Sequence, residues 1–201
     1  MKKQKHFVQL KEALWLNTAL TCVQFAIGIL LNSSAVIADG FNNLRDSLTI
    51  SVAITGNHLS FRHKKRSSII SGCAATVNTL IVLFIIVVMF VQAFEHIKDP
   101  SKHLAALPII ISGLLSVVIN GRVAFLVHKD SHVAARVALV GLAASIAGGT
   151  CVTILGVWTL VGANPSSDGV AALVIATISL LAAIITSLSN IPIFYHQHIK
   201  L

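Results

Sequence analysis

Asp39, Asn42, Asn43 and Asp46 recur at steps of three and four within Ala38-Asp39-Gly40-Phe41-Asn42-Asn43-Leu44-Arg45-Asp46, a polar segment that interrupts a long apolar stretch. On a helix those steps place two carboxylates and two amides on one face. Oxygen donors gathered in this way suit a cation, so the segment reads as an ion-binding face. The competing reading is a polar contact between helices, with Arg45 neutralising a carboxylate of a neighbouring helix. A carboxylate at the centre of a bilayer costs about 2.5–3.5 kcal/mol on insertion scales, so either reading requires the face to look inward. Helix geometry turns Arg45 about 120° from the Asp39/Asp46 face, which sends its charge toward another element or toward the membrane surface.

The elements that must carry this face follow from composition. The 201-residue chain is 55% hydrophobic and 11% charged, with a mean hydropathy of +0.85. A soluble domain carries about 25% charged residues, so the chain reads as an all-α, multi-pass integral membrane protein whose partner is the lipid bilayer. Apolar runs long enough to cross about 30 Å of hydrocarbon predict six spans near 12–31, 34–56, 68–94, 104–127, 134–161 and 169–193. They form one six-helix transmembrane domain over residues 1–201, with no soluble domain after the last span. Breaks are expected at Asn32-Ser33-Ser34, over a basic loop at 57–66, and at the proline-containing stretches 98–102 and 164–169. The basic start followed by an apolar run mimics a signal peptide, but the run over 13–31 is too long for one and reads as a retained span.

Twelve of the fifteen lysines and arginines fall before span 1, in the loop after span 2, around the connection of spans 4 and 5 (Arg122, Lys129 and Arg136), or in the tail. The positive-inside rule then places both termini in the cytoplasm, in a plasma membrane or a bacterial inner membrane. The net charge of +8 is topology information rather than a nucleic-acid surface, since no aromatic-interleaved basic patch accompanies it. Cys22, Cys73 and Cys151 lie singly in different spans and predict no disulfide. No G-x-S-x-G or H-E-x-x-H pattern occurs, and the two deep aspartates share one helix, so the chain does not read as an enzyme. The nine histidines all lie outside the predicted membrane centre. His58 with His63 and the His196-x-His198 pair are the candidates for a metal entry site, against the plainer reading of solvated interface residues.

The layout and the span-2 segment resemble the cation diffusion facilitator family, six-span exporters of zinc and related divalent metals. The family's A-D-x-x-H-x-x-x-D register is met by Ala38, Asp39 and Asp46, with Asn42 where the family places His or Asp. Asn78, Glu95-His96-Ile97-Lys98-Asp99-Pro100, Asn120, the small-residue run 133–148 and Asp168 fit later family elements, so the similarity covers about 12–193. The resemblance implies efflux of a divalent cation coupled to proton entry (antiport), with Asp46 as principal ligand or proton carrier and Asn42 and Asp39 as secondary contacts. It implies no cofactor beyond the transported ion, and a homodimer is the candidate assembly.

The family's fifth span contributes H-x-x-x-D, and the corresponding residues here are Ala138 and Leu142, neither of which can ligate a metal. A zinc site needs about four donors, so the remaining oxygens suit a harder ion such as Mn²⁺ better. Asn17, Asn78 or Ser145 on neighbouring spans are the residues that would complete such a set. The alternative function is a transport-inactive relative acting as a membrane partner or regulator.

Overall fold

The computed structural model describes residues 2–62, 67–100, 104–128 and 133–198, with side-chain environments defined over 8–52, 54–55, 73–100, 104–126 and 139–188 and at 59 and 69. Among the described residues the chain forms six helices: α1 (Lys2–Leu31), α2 (Ser34–Arg62), α3 (Ser67–Lys98), α4 (Ala106–His128), α5 (Val133–Leu160) and α6 (Ser166–His198). In hydrocarbon the backbone has no water to bond to, so apolar stretches of this length close their own hydrogen bonds as helices. The helices outrun the predicted spans at several ends. In particular, α2 continues through Arg62, so much of the basic stretch expected as a loop is helical.

Among the described residues, five of these helices are long and apolar enough to cross a membrane. The exception is α2, whose polar segment lowers its hydropathy, and its position compensates. Among the described residues, α2 is the helix that touches all five others. Large apolar side chains such as Trp15, Leu30 and Phe84 stand exposed on the outer surface, as a lipid-facing perimeter requires. The protein is an integral, multi-pass membrane protein.

Two helix ends are set by left-handed residues. Asn32 (φ 49°) ends α1 and Gly162 (φ 91°) ends α5. In each case the next N–H reaches back five residues, Ser33 to Gly28 at 2.9 Å and Ala163 to Trp158 at 3.2 Å. This is the Schellman arrangement, which satisfies carbonyls left over at a helix end. The α1–α2 connection is therefore the tight turn expected at Asn32-Ser33-Ser34.

Asp168, in the first turn of α6, is fully buried and caps α2 from outside. Its carboxylate accepts from Ser33 Oγ (2.6 Å), Ser34 N (2.5 Å), Ser34 Oγ (2.8 Å) and Ala35 N (3.3 Å). One negative charge thus meets the positive ends of two helices and takes up N–H groups that α2 cannot bond internally. His96 of α3 donates from Nε2 to Asn32 O at 2.8 Å, and the same nitrogen lies 3.8 Å from Asp168 Oδ2. The turn, α3 and α6 are tied together at this end.

The apolar interior is split in two. One cluster, including Ala35, Val36, Ile85, Met89, Ile109, Val152 and Ile175, lies toward the α1–α2 turn. The other, Ala13, Ile50, Val123 and Leu142, lies toward the chain termini. Residues 39–46 of α2 run between the two, level with Ser145 and Gly148 on α5 and Ser179 on α6.

Replacing Asp168 with Ala is expected to lower stability by about 3 kcal/mol or more, because buried N–H and O–H groups lose a charged acceptor. A lower thermal unfolding temperature of the detergent-solubilised protein, partly restored in Asp168→Asn, is the measurement.

Candidate cation site

The polar face of α2 is buried along its whole length. Asp39, Asn42 and Asn43 are fully enclosed, and Arg45 and Asp46 are 4% and 7% exposed. The inward orientation expected from the sequence is the one observed. Partners come from three different helices, so the face divides into three linked groups.

Toward the α1–α2 turn, Gln24 of α1 donates from Nε2 to Asp39 Oδ2 at 2.5 Å. Its carbonyl accepts from Asn43 Nδ2 at 2.7 Å, and Asn43 also bonds the Asp39 carbonyl at 3.0 Å. One amide thereby serves a carboxylate and a carboxamide on the same face. The other oxygen of Asp39, Oδ1, closes against α5. A Cβ added at Gly148 would lie 2.7 Å from it and 3.2 Å from Asn42 Nδ2. Glycine at that position lets α5 come close enough to seal the face.

In the middle, Asn42 Oδ1 accepts from Ser179 Oγ of α6 at 2.7 Å. Its Nδ2 faces the Ala144 carbonyl at 3.5 Å, the outer limit of a hydrogen bond.

Toward the termini, Asp46 is engaged on both oxygens. Oδ1 receives Arg45 Nε at 3.1 Å and Nη2 at 2.9 Å, and Oδ2 receives Ser145 Oγ of α5 at 2.7 Å. The same Arg45 Nη2 also reaches Gly141 O at 3.2 Å. The expectation that Arg45 would snorkel or pair with another element is met only in part: it reaches Gly141 O of α5, but its ion pair is with Asp46 on its own helix. Helix geometry sends its Cα–Cβ bond away from the Asp39/Asp46 face, but the three-carbon stem carries the guanidinium back to Asp46. The reason is energetic: a buried charge left unpaired costs several kcal/mol, and the nearest opposite charge is one residue away.

A cavity of about 60 Å³ adjoins this third group. It is lined by Arg45, Asp46, Thr49, Asn78, Gly141, Leu142 and Thr186, among others. About 10–15 Å³ of such volume holds a water, so several fit.

Ser145, Asn17 and Asn78 were the residues expected to complete an oxygen set, and they behave differently. Ser145 contacts Asp46 directly. Asn78 lines the cavity with its carbonyl oxygen unpartnered, and Asn17 is buried with neither amide atom bonded. Leu142 is buried in the apolar cluster at the terminal end, while the side chain of Ala138 lies outside those described. Among the described residues, no three His, Cys, Asp or Glu side chains come together. His58, His63, His196 and His198 also fall outside the described side chains.

Sequence reasoning missed Gln24 and Ser179. Gln24 carried a usable signal, since it lies seven residues, two helical turns, from Asn17 and the two amides share one stripe within the mostly apolar run 13–31. Ser179 carried none, because serines are scattered through the spans.

Gln24→Leu is expected to cost about 2–4 kcal/mol, since Asp39 and Asn43 both lose a buried partner while the packing volume is kept. Chemical or thermal unfolding in lipid nanodiscs checks this, with Gln24→Glu expected to be worse because it places a second carboxylate against Asp39.

Comparison with known families adds to this picture of a bundle of membrane-spanning helices around a buried polar face. The profile of the cation efflux transmembrane domain matches residues 10–194. No curated protein matches the chain. A match over nearly the whole sequence fixes the lineage: the chain belongs to the cation efflux, or cation diffusion facilitator, family of metal-cation transporters.

Proposed function

We propose that the chain moves a divalent metal cation out of the cytoplasm, taking it at Asp46 with Asn42 and Asp39 as secondary contacts. The observation that carries this reading is the fully buried polar face of α2, which separates the two apolar clusters and meets a cavity at Asp46. An acidic side chain at that depth has little structural use that an apolar one would not serve better.

The donors around it favour oxygen chemistry. Asp46, Asn42 and Asp39 offer carboxylate and amide oxygens, and Ser145, Gly141 O and Asn78 add hydroxyl and carbonyl oxygens nearby. Such a set suits Mn²⁺ or a similar hard ion. A tetrahedral zinc site would need donors from α5, and Leu142 is an apolar residue where the family resemblance expects one. Proton exchange follows from the same group, because protonating Asp46 removes the charge that holds a metal. Both termini on the cytoplasmic side, supported by the distribution of lysine and arginine, would make the cavity the cytoplasmic approach.

A second reading, a transport-inactive relative that acts as a membrane partner, is favoured by one observation. Arg45 already neutralises Asp46. Two unit charges of the same sign 4 Å apart repel by about 4 kcal/mol at an effective dielectric constant of 20, and a dication doubles this. An ion reaching Asp46 with Arg45 in place would meet that cost.

Proteoliposomes separate the readings. Mn²⁺ flux by the unmodified protein, reduced about ten-fold or more in Asp46→Asn, supports transport through this residue; equal flux in the two proteins removes it. If the unmodified protein carries no ion and the pair Ala138→His with Leu142→Asp gains zinc flux, the inactive-relative reading is the correct one.

A further inference from the structure

Arg45 is a cation already seated at the face where a cation would bind. Two of its nitrogens share Asp46 Oδ1, and one of them also covers Gly141 O. Ser145 holds the remaining oxygen of Asp46 and keeps the carboxylate oriented when Arg45 is considered apart. An incoming ion would find two oxygens, Asp46 Oδ1 and Gly141 O, blocked by a single group.

The cavity beside that group offers somewhere else for it to go. Arg45 is part of the wall, and so is Asn78 of α3. The Asn78 Oδ1 atom is buried and accepts no hydrogen bond. A guanidinium has only donors, and an amide carbonyl without a donor is its complement. Thr49 and Thr186 add hydroxyl oxygens to the same lining. The arginine stem is long and flexible, and the volume is large enough for several waters or for a displaced side chain.

We propose that Arg45 is a tethered cation with two seats, one on Asp46 and Gly141 O, where it holds the place of a metal ion, and one across the cavity on Asn78, where it leaves those oxygens free. A divalent cation with a preference for oxygen ligands binds Asp46 by displacing Arg45, and departure of the ion lets the guanidinium return. The site never presents a bare carboxylate to the apolar interior in either state. Arg45 thereby sets the threshold affinity that an ion must exceed to bind, and Asn78 sets how readily the arginine yields. This mechanism rests on the assignment of Asp46 as the cation ligand.

The experiment is a Mn²⁺ titration of the full-length protein in lipid nanodiscs, read by loss of the free-ion EPR signal. Arg45→Gln is expected to bind Mn²⁺ about ten-fold tighter or more, the factor that a charge at 4–6 Å exerts on a carboxylate. The gain disappears in Arg45→Gln with Asp46→Asn. Asn78→Leu keeps every charge but removes the second seat, and is expected to weaken binding about ten-fold in the unmodified protein and to leave that of Arg45→Gln unchanged; an equal loss in both makes Asn78 an ion ligand and overturns its role as a seat for Arg45. A folded Arg45→Gln protein that binds no tighter overturns the proposal, and so does unchanged binding in Asn78→Leu, which decides the matter if Arg45→Gln does not fold. Mn²⁺ flux into liposomes distinguishes the two levels of the argument. Gained binding without flux in any variant retires the transport reading and leaves the two-seat arginine standing. Flux by the unmodified protein with unaltered binding in both variants does the reverse.

Discussion

Placing two carboxylates, two carboxamides and a guanidinium on one helix face and removing them all from water is the constraint that organises this bundle. Each such group, left alone in an apolar interior, would cost several kcal/mol. The structure answers with partners from separate helices: Gln24 from α1, Ser145 and the Gly141 carbonyl from α5, and Ser179 from α6. Only a helix at the centre of the bundle can be reached from all of these directions. The position of α2 follows from its chemistry as much as from its place in the chain.

The remaining architecture keeps that face at one height. Asp168 locks the start of α2 to the start of α6 through the turn at Ser33 and Ser34. Because a helix rises by a fixed ~1.5 Å per residue, holding its first turn also fixes the level at which Asp39 and Asp46 lie. Glycines complete the seal where α5 crosses. Gly148 stands against Asp39 and Asn42, and Gly141 stands against Asp46. Apolar clusters lie on either side of this level, so the polar face of α2 runs between two cores.

The charge of the buried face is balanced within α2 itself. Where the family resemblance expects acidic and imidazole ligands from the fifth span, the buried residue is Leu142. The positive charge that offsets Asp46 is supplied by the neighbouring arginine. A covalently attached cation cannot diffuse away, so the carboxylate is never without a counter-charge. The same attachment makes Arg45 a competitor for any ion that approaches.

Much of the fold was legible in the sequence because its causes are local. Apolar runs of bilayer length dictate helices, Asn32 and the Pro and Gly residues near 162–165 stop them, and steps of three and four put Asp39, Asn42, Asn43 and Asp46 on one inward face. The sequence alone also determined that Ala138 and Leu142 are not metal ligands, since their side chains carry no donor atom. Tertiary structure decided what each polar group touches. Periodicity reports which residues share a face but not which helix stands opposite, so the service of Gln24 to Asp39, of Ser179 to Asn42 and of Asp168 to α2 could not be read along the chain. Arg45 shows the same limit most directly. Helical angle gave the direction of its Cα–Cβ bond, whereas burial of the charge decided where a flexible stem would carry the guanidinium, and it carried it back to Asp46.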